Sequence, residues 1–269
     1  MSLTLSLHTL PDVPIEADVI CTDKLNNVNE AALSALTIFH GKEQVMLGDF
    51  FKVQGKYDGE IRIEGDLSRI KHLGAGMSGG RIIISGNVGA HLGAGMSGGE
   101  IIVEGNAGDW IASEMIGGRV IVKGNAGHMV GGAYRGSPVG MQGGEIIIHG
   151  NARNETGNAM RHGLIVVGGN SEDFTGVSML AGTIIVLGEM GIRSGAGMKR
   201  GTILSMHKAE MLPTFTYACT YHPTYVRIYL SYIKEYGLQI DDAQLNGNYE
   251  RWIGDAIELN RGEILLYAN

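Results

Sequence analysis

Seven methionines act as a ruler along this chain. Met77, Met96, Met115, Met141, Met160, Met179 and Met198 follow one another at intervals of 19, 19, 26, 19, 19 and 19 residues. Gly80, Gly99, Gly118, Gly144, Gly163, Gly182 and Gly201 repeat those intervals, each three residues after its Met. Two residue types in one register mean a structural repeat, and a period of about 20 residues belongs to stacked architectures rather than to a single closed core. The 26-residue interval is the same unit carrying seven extra residues.

An apolar triplet follows each glycine: Ile82-Ile83-Ile84, Ile101-Ile102-Val103, Val120-Ile121-Val122, Ile146-Ile147-Ile148, Ile165-Val166-Val167 and Ile184-Ile185-Val186, with a weaker Ile203-Leu204-Ser205. Short β-branched runs bounded by Gly are strands, and one strand per repeat at about 4.8 Å stacks into a parallel sheet roughly 30 Å long. Ile61-Arg62-Ile63 starts the stack 21 residues earlier. The fold expected is therefore mainly β: a right-handed parallel β-helix of about seven to eight 19-residue coils. Its glycines fit this, since 43 of 269 residues is more than twice the usual share of roughly 7%. Five prolines and a 44% apolar fraction exclude collagen and disorder.

Stacking turns repeated positions into ladders. Arg81, Glu100, Arg119 and Glu145 precede their triplets with alternating sign, so vertical neighbours attract. Gly86-Asn87, Gly105-Asn106, Gly124-Asn125, Gly150-Asn151 and Gly169-Asn170 mark a corner where stacked amides can bond between coils. Strand alternation turns the outer residues of each triplet inward and its middle residue outward. Ile83, Ile102, Ile121, Ile147, Val166, Ile185 and Leu204 then form an outward apolar stripe, and Ile102, Ile121 and Ile147 are candidate subunit contacts.

The flanks differ from the repeat, giving residues 1–54 as an α/β cap, 55–206 as the coil domain and 207–269 as a helical cap. Leu3 to Leu7 alternates as a strand, and Asn27 to Phe39 reads as a helix with Asn27 as its cap. Tyr225, Tyr229, Tyr232, Ile233 and Tyr236 share one face of a second helix between Pro223 and Gly237. Open solenoid ends need such caps, because they otherwise recruit strands.

Two G-x-G-x-x-G matches, from Gly74 and from Gly93, lead into strands rather than a helix and are corners, not nucleotide sites. The Met ladder reads as core filler. Cys219-x-x-His222 with His207 lacks a second ligand pair at zinc spacing, and Cys21 and Cys219 read as buried thiols. Glu172 and Asp173 are not placed as an acid/base pair across a cleft, which weighs against a polysaccharide lyase. A period of 19 rather than 18 weighs against a hexapeptide acyltransferase. The insertion around Tyr134 and Arg135 breaks the coil with residue types favoured at interfaces. Arg161-His162, Arg193, Lys199 and Arg200 fall near coil corners as a candidate cationic strip. The formal charge of −7 is scattered, so neither nucleic acid nor an anionic membrane is an expected partner. With neither a signal-peptide-like start nor a membrane-length apolar run, a cytoplasmic protein is expected.

The chain resembles the C subunit of formylmethanofuran dehydrogenase and of the bacterial formyltransferase/hydrolase complex. The resemblance rests on His40-Gly41 with Leu47-Gly48-Asp49-Phe50-Phe51, on the Gly-Ala-Gly-Met-Ser-Gly-Gly coils, on Ala133-Tyr134-Arg135-Gly136 and on Arg161-His162-Gly163-Leu164-Ile165. It extends to Leu212-Pro213-Thr214-Phe215, Tyr217-Ala218-Cys219-Thr220-Tyr221 and Gly262-Glu263-Ile264-Leu265. The coils are also similar to the Gly-rich β-helix domain of glutamate synthase, which is embedded in a much longer chain. The resemblance implies one-carbon metabolism: formyl transfer between a tetrahydropterin and methanofuran or methylofuran, with A-, B- and D-type subunits as partners. It implies that those partners handle the furan and hold zinc-type metals or a molybdenum or tungsten pterin. This subunit would be a scaffold, with no catalytic, cofactor-binding or metal residue of its own.

Overall fold

The computed structural model describes residues 2–25 and 28–268, so the expected cap at Asn27 lies outside the described residues. Strands Glu60–Glu64, Arg81–Ile84, Glu100–Val103, Arg119–Val122, Glu145–Ile148, Leu164–Val167, Thr183–Val186 and Arg200–Ser205 each pair in parallel with the next. Their register is unbroken: Ile61, Ile82, Ile101, Val120, Ile146, Ile165, Ile184 and Ile203 lie side by side. A second ladder of single bridges joins Leu67, Val88, Ala107, Ala126, Ala152, Ser171 and Met190. The chain thus winds through stacked coils in the manner of a β-helix.

The shared register of Met and Gly has a steric cause. Every ladder methionine is fully buried. A Cβ on Gly118 would sit 2.8 Å from Met96 Cε and 2.7 Å from Gly99 O, and Gly144, Gly163 and Gly201 meet the Met of the preceding coil in the same way. Each glycine also has positive φ, between 78° and 106°. A side chain there would displace both the thioether and the backbone of the coil beneath, so Met and Gly must travel together.

The asparagine corner works as anticipated, with a more specific bond. Asn87 Oδ1 accepts from Asn106 N at 2.9 Å, and Asn106, Asn125, Asn151 and Asn170 each accept from the next coil's backbone N–H. The charge ladder closes too: Arg81 bonds Glu100 at 3.0 Å and Arg119 bonds Glu145 at 2.8 Å, with Glu60 as an added lower rung.

Both ends extend the same sheet, which has 13 strands among the described residues. Leu3–Leu7 adds in parallel beside Glu60–Glu64, then Phe51–Gln54 antiparallel to it. At the other end Arg261–Ala268 adds in parallel to Arg200–Ser205, followed antiparallel by Asn248–Gly254 and finally Thr216–Tyr221. A separate four-stranded sheet forms from Glu43–Met46, Thr37–His40, Ile15–Glu16 and Ile70–Lys71.

Three expectations need correction. The first helix is only Glu30–Ser34, capped by Asn29, whose side chain accepts from Ala32 N. Thr37, Ile38 and Phe39, β-branched or aromatic, instead form a strand paired with Glu43–Met46. Cys219 is exposed, because its strand lies at the sheet's outer edge; Cys21 is buried. The helix Thr224–Lys234 exists, but it buries Val226, Leu230 and Ile233. Its tyrosines sit on the flank of that face, where the hydroxyls of Tyr225, Tyr232 and Tyr236 reach polar partners.

Candidate subunit-contact surfaces

The outward stripe is real, and five of its seven residues are covered from within the chain. Ile121, Ile147, Val166, Ile185 and Leu204 cluster with Val226, Leu230 and Ile233 of the helix and with Leu238 and Ile240 beyond it. Ile147 has no exposed surface and Ile121 only 6%, so neither is available to another subunit. Ile102 is half-buried at the edge of the cluster. Cover begins at Ile121, and the residue before the triplet changes two coils later, where Leu164, Thr183 and Thr202 stand in place of Arg81, Glu100, Arg119 and Glu145. The uncharged coils are all covered, while of the four charged ones two are covered, at Ile121 and Ile147, and two stay partly open, at Ile83 and Ile102.

Where the two regimes meet there is a groove of about 690 Å³ between the coils and the helix, walled by Glu100, Arg119, Glu145 and His162 on one side and by Ile228, Tyr229 and Tyr232 on the other. Its floor is bare because Gly99, Gly118, Gly144 and Gly163 stack there. Tyr232 donates its hydroxyl hydrogen to Glu145, 2.7 Å away, accepts from Arg119 at 3.1 Å and is 2.9 Å from the Tyr236 hydroxyl. Arg119 also lies over the Tyr236 ring at 5.1 Å. Burial opposes the Arg119 charge, but the hydrogen bond and charge of Glu145 outweigh it and raise its pKa. Burial, then the bonds to Tyr236 and Glu145, push the Tyr232 phenol up. Both carboxylates of the groove are ion-paired, so the site is built to hold the helix down. Ile228 stands free at the rim, 72% exposed.

The insertion makes the second surface. His72, His91 and Trp110 repeat at 19-residue spacing in left-handed backbone. Their rings stack outward, His72 on His91 at 4.6 Å and His91 on Trp110 at 6.3 Å. Tyr134 lies against both Trp110, at 5.2 Å, and His91, at 5.6 Å, with its hydroxyl 2.9 Å from His91 Nδ1. Burial, followed by the charges of His72 and Lys71, lowers the His91 pKa to about 4, which keeps the ring neutral near pH 7. The insertion is therefore anchored: Tyr134 engages the two preceding coils, and Arg135 projects into solvent beside it.

The residues of the expected cationic strip have different surroundings. Arg161 and Arg200 are exposed, Lys199 is 3.9 Å from Glu258, and Arg193 lies over Phe174 at 5.3 Å, in the stacked position that follows His72, His91 and Trp110 up the coils. Among the described residues no three His, Cys, Asp or Glu side chains meet in a set able to hold a metal. His222 donates from Nδ1 to Gly247 O, and Asp173 accepts from the backbone of Ile192, so both serve the fold. No helix among the described residues is long and apolar enough to cross a membrane.

No family model matches the chain. The C subunit of the molybdenum-containing formylmethanofuran dehydrogenase 1 of Methanothermobacter marburgensis is 43% identical over 79 residues, 29% of this chain and 20% of that protein. The C subunit of the tungsten-containing formylmethanofuran dehydrogenase 2 of Methanothermobacter wolfeii is 43% identical over 83 residues, 29% of this chain and 31% of that protein. The chain thus spans about a fifth to a third of the length of these curated relatives. A much fuller likeness is to a chain in the crystal structure of the formyltransferase/hydrolase complex (FhcABCD) of Methylorubrum extorquens with methylofuran. There the TM-score is 0.92 at 32% identity, covering 99% of this chain and 100% of that one. End-to-end agreement at that identity, together with the name that the curated relatives share, shows that this chain belongs to the family of formylmethanofuran dehydrogenase C subunits.

Proposed function

We propose that the chain is a non-catalytic scaffold subunit of a formyl-processing complex, of the formyltransferase/hydrolase type in preference to the dehydrogenase type. The observation that carries this is the full-length likeness to a chain of the FhcABCD complex, which outweighs partial likenesses to the molybdenum and tungsten enzymes. In this reading residues 55–206 are a right-handed β-helix of seven to eight coils, residues 1–54 and 207–269 are its caps, and the complex works in the cytoplasm. A-, B- and D-type subunits handle methanofuran or methylofuran and carry the metal chemistry of tetrahydromethanopterin-linked one-carbon metabolism. The polar groups of this chain support the assignment, since its carboxylates and tyrosines are engaged in ladders and in fixing the helix rather than aimed together at a substrate position. The metals in the names of the relatives find no three-residue ligand set among the described residues.

Co-expression with the neighbouring genes tests the reading. The purified chain alone should neither transfer a formyl group nor release formate, and with its partners it should elute as one stoichiometric, active complex. Turnover by the chain alone, surviving removal of contaminating subunits, would overturn the scaffold assignment.

A further inference from the structure

Resting on that reading, the structure also shows where a partner can attach. Thr216–Tyr221 is the last strand of the long sheet, bonded to Asn248–Gly254 on one side only. Its residues are exposed on both faces, with only Tyr221 half-buried. Among the described residues no backbone hydrogen bond reaches its outer side.

The other three sheet edges are protected in recognisable ways. Phe51–Gln54 carries Lys52 and packs against the helix Glu30–Ser34, Glu43–Met46 carries Glu43, and Ile70–Lys71 is only two residues long and ends in a lysine. Charges, covering helices and shortness are the ordinary devices that prevent edge-to-edge pairing. Thr216–Tyr221 has none of these three: it is six residues long, uncharged and uncovered, its one irregularity is a register shift between Tyr217 and Cys219, and its flanking prolines, Pro213 and Pro223, lie outside it. Beside its start, the loop after Gly254 is tied back by Ala256 N to Thr214 O at 3.1 Å and holds out Ile257, 75% exposed, and Leu259, 51% exposed.

We propose that an extended segment of another subunit of the complex adds to Thr216–Tyr221 as a further strand, with its apolar side chains against Ile257 and Leu259. Backbone groups supply the bonds, so the occupant is recognised by extended conformation and by the absence of charge at the facing positions. Size selects a different subunit over a second copy of this chain. Standard interfaces bury about 800 Å² from 20 to 30 residues a side, so six residues a side bury roughly 400 Å² in total, well short of the roughly 1,200 Å² that a stable contact needs. Strand addition here is one element of a larger contact with a chain that has other surfaces to offer.

Hydrogen exchange on the isolated chain and on the assembled complex tests this. Amides of 216–221 that point away from Asn248–Gly254 should exchange at least 10-fold more slowly in the complex. Ala218→Lys and Thr220→Lys, both at exposed positions, should leave the melting temperature of the isolated chain unchanged and reduce recovery of the complex at least 10-fold. A complex that forms while these amides exchange as fast as in the free chain overturns the strand addition and leaves the subunit assignment standing. Failure to form any complex overturns both. A dimer of the isolated chain with the same amides protected assigns the edge to a second copy and overturns the proposal.

Discussion

The lower and upper coils are built from one repeat and present two different faces to their surroundings. Below, from Arg81 to Glu145, the residue before each triplet is charged; Ile83 and Ile102 remain partly open, and Ile121 and Ile147 lie under the edge of the helical cap. Above, from Leu164 to Thr202, that position is uncharged and Val166, Ile185 and Leu204 are sealed under the helix Thr224–Lys234. The inward face hardly changes between the two. The repeat therefore fixes the core, while the outer face meets water, as at Ile83, or protein, as at Ile185; where charged Arg119 and Glu145 precede covered residues they bond Tyr232 of the helix.

Placing a charge on equivalent outward positions should break this comparison most sharply. Ile185→Asp would leave an unpaired carboxylate under the helix and should cost about 4 kcal/mol or more, enough to detach the C-terminal cap or unfold the chain. Ile83→Asp, one rung from Arg62 and in an open part of the stripe, should cost less than about 1.5 kcal/mol. Urea denaturation of both variants measures the difference. Equal losses would mean that the stripe does not divide into covered and open parts.

Truncating the cover probes the same boundary from the other side. Leu230 is fully buried against the upper stripe, so Leu230→Ala should destabilise by about 3 kcal/mol through lost transfer energy and a residual cavity. Ile228→Ala, at the exposed rim of the groove, should change stability by less than about 0.5 kcal/mol. A comparable loss from both would show that the helix packs through a different face.

Much of this was legible in the sequence, and the limits follow from repetition. The coil core repeats seven times, so Met77, Gly80 and Ile82 could each be read from their copies, and inside and outside followed from alternation. The covering helix occurs once. Its tyrosines drew attention to the wrong strip because their rings are large, whereas the aliphatic Val226, Leu230 and Ile233 carry the packing one position away. A partial signal was present in the loss of charge at Leu164, Thr183 and Thr202, although cover already begins two coils earlier at Ile121. The aromatic stack was also visible in principle, as His72, His91 and Trp110 at 19-residue spacing. Nothing local indicated that Tyr134, on the insertion, folds back onto it.

The junction between the two regimes gives a smaller effect. Glu145→Gln keeps the shape but weakens the bonds that Arg119 and Tyr232 make to a charged acceptor, and should cost about 2 kcal/mol. Glu64→Gln, on an exposed carboxylate bonded only to Ser6, should cost less than about 0.5 kcal/mol. If thermal unfolding ranked the two alike, the Arg119–Glu145–Tyr232 cluster would not be what pins the helix to the coils.

The smallest effect belongs to the lower coils, where Tyr134 of the insertion lies against the stacked rings of His91 and Trp110. His91 has its pKa lowered to about 4, first by burial and then by the charges of His72 and Lys71, while in the unfolded chain it returns to about 6.5. Between those values the unfolded state binds the additional proton, so stability is intact above about pH 6.5 and falls as pH drops towards about 4. Partial solvent exposure screens the effect, leaving on the order of 1 kcal/mol from this group. His91→Phe keeps a ring between His72 and Trp110 but removes both the titration and the bond to the Tyr134 hydroxyl. The variant should be less stable at pH 7.5 yet lose less further stability than the parent between pH 6.5 and 4.5. Melting temperatures across that range, with Tyr134 proteolytic accessibility as a second readout, check it. An equally steep pH dependence in the variant would place the titrating group elsewhere; His149, on a different face and lowered first by burial and then by Lys123, is the next to replace.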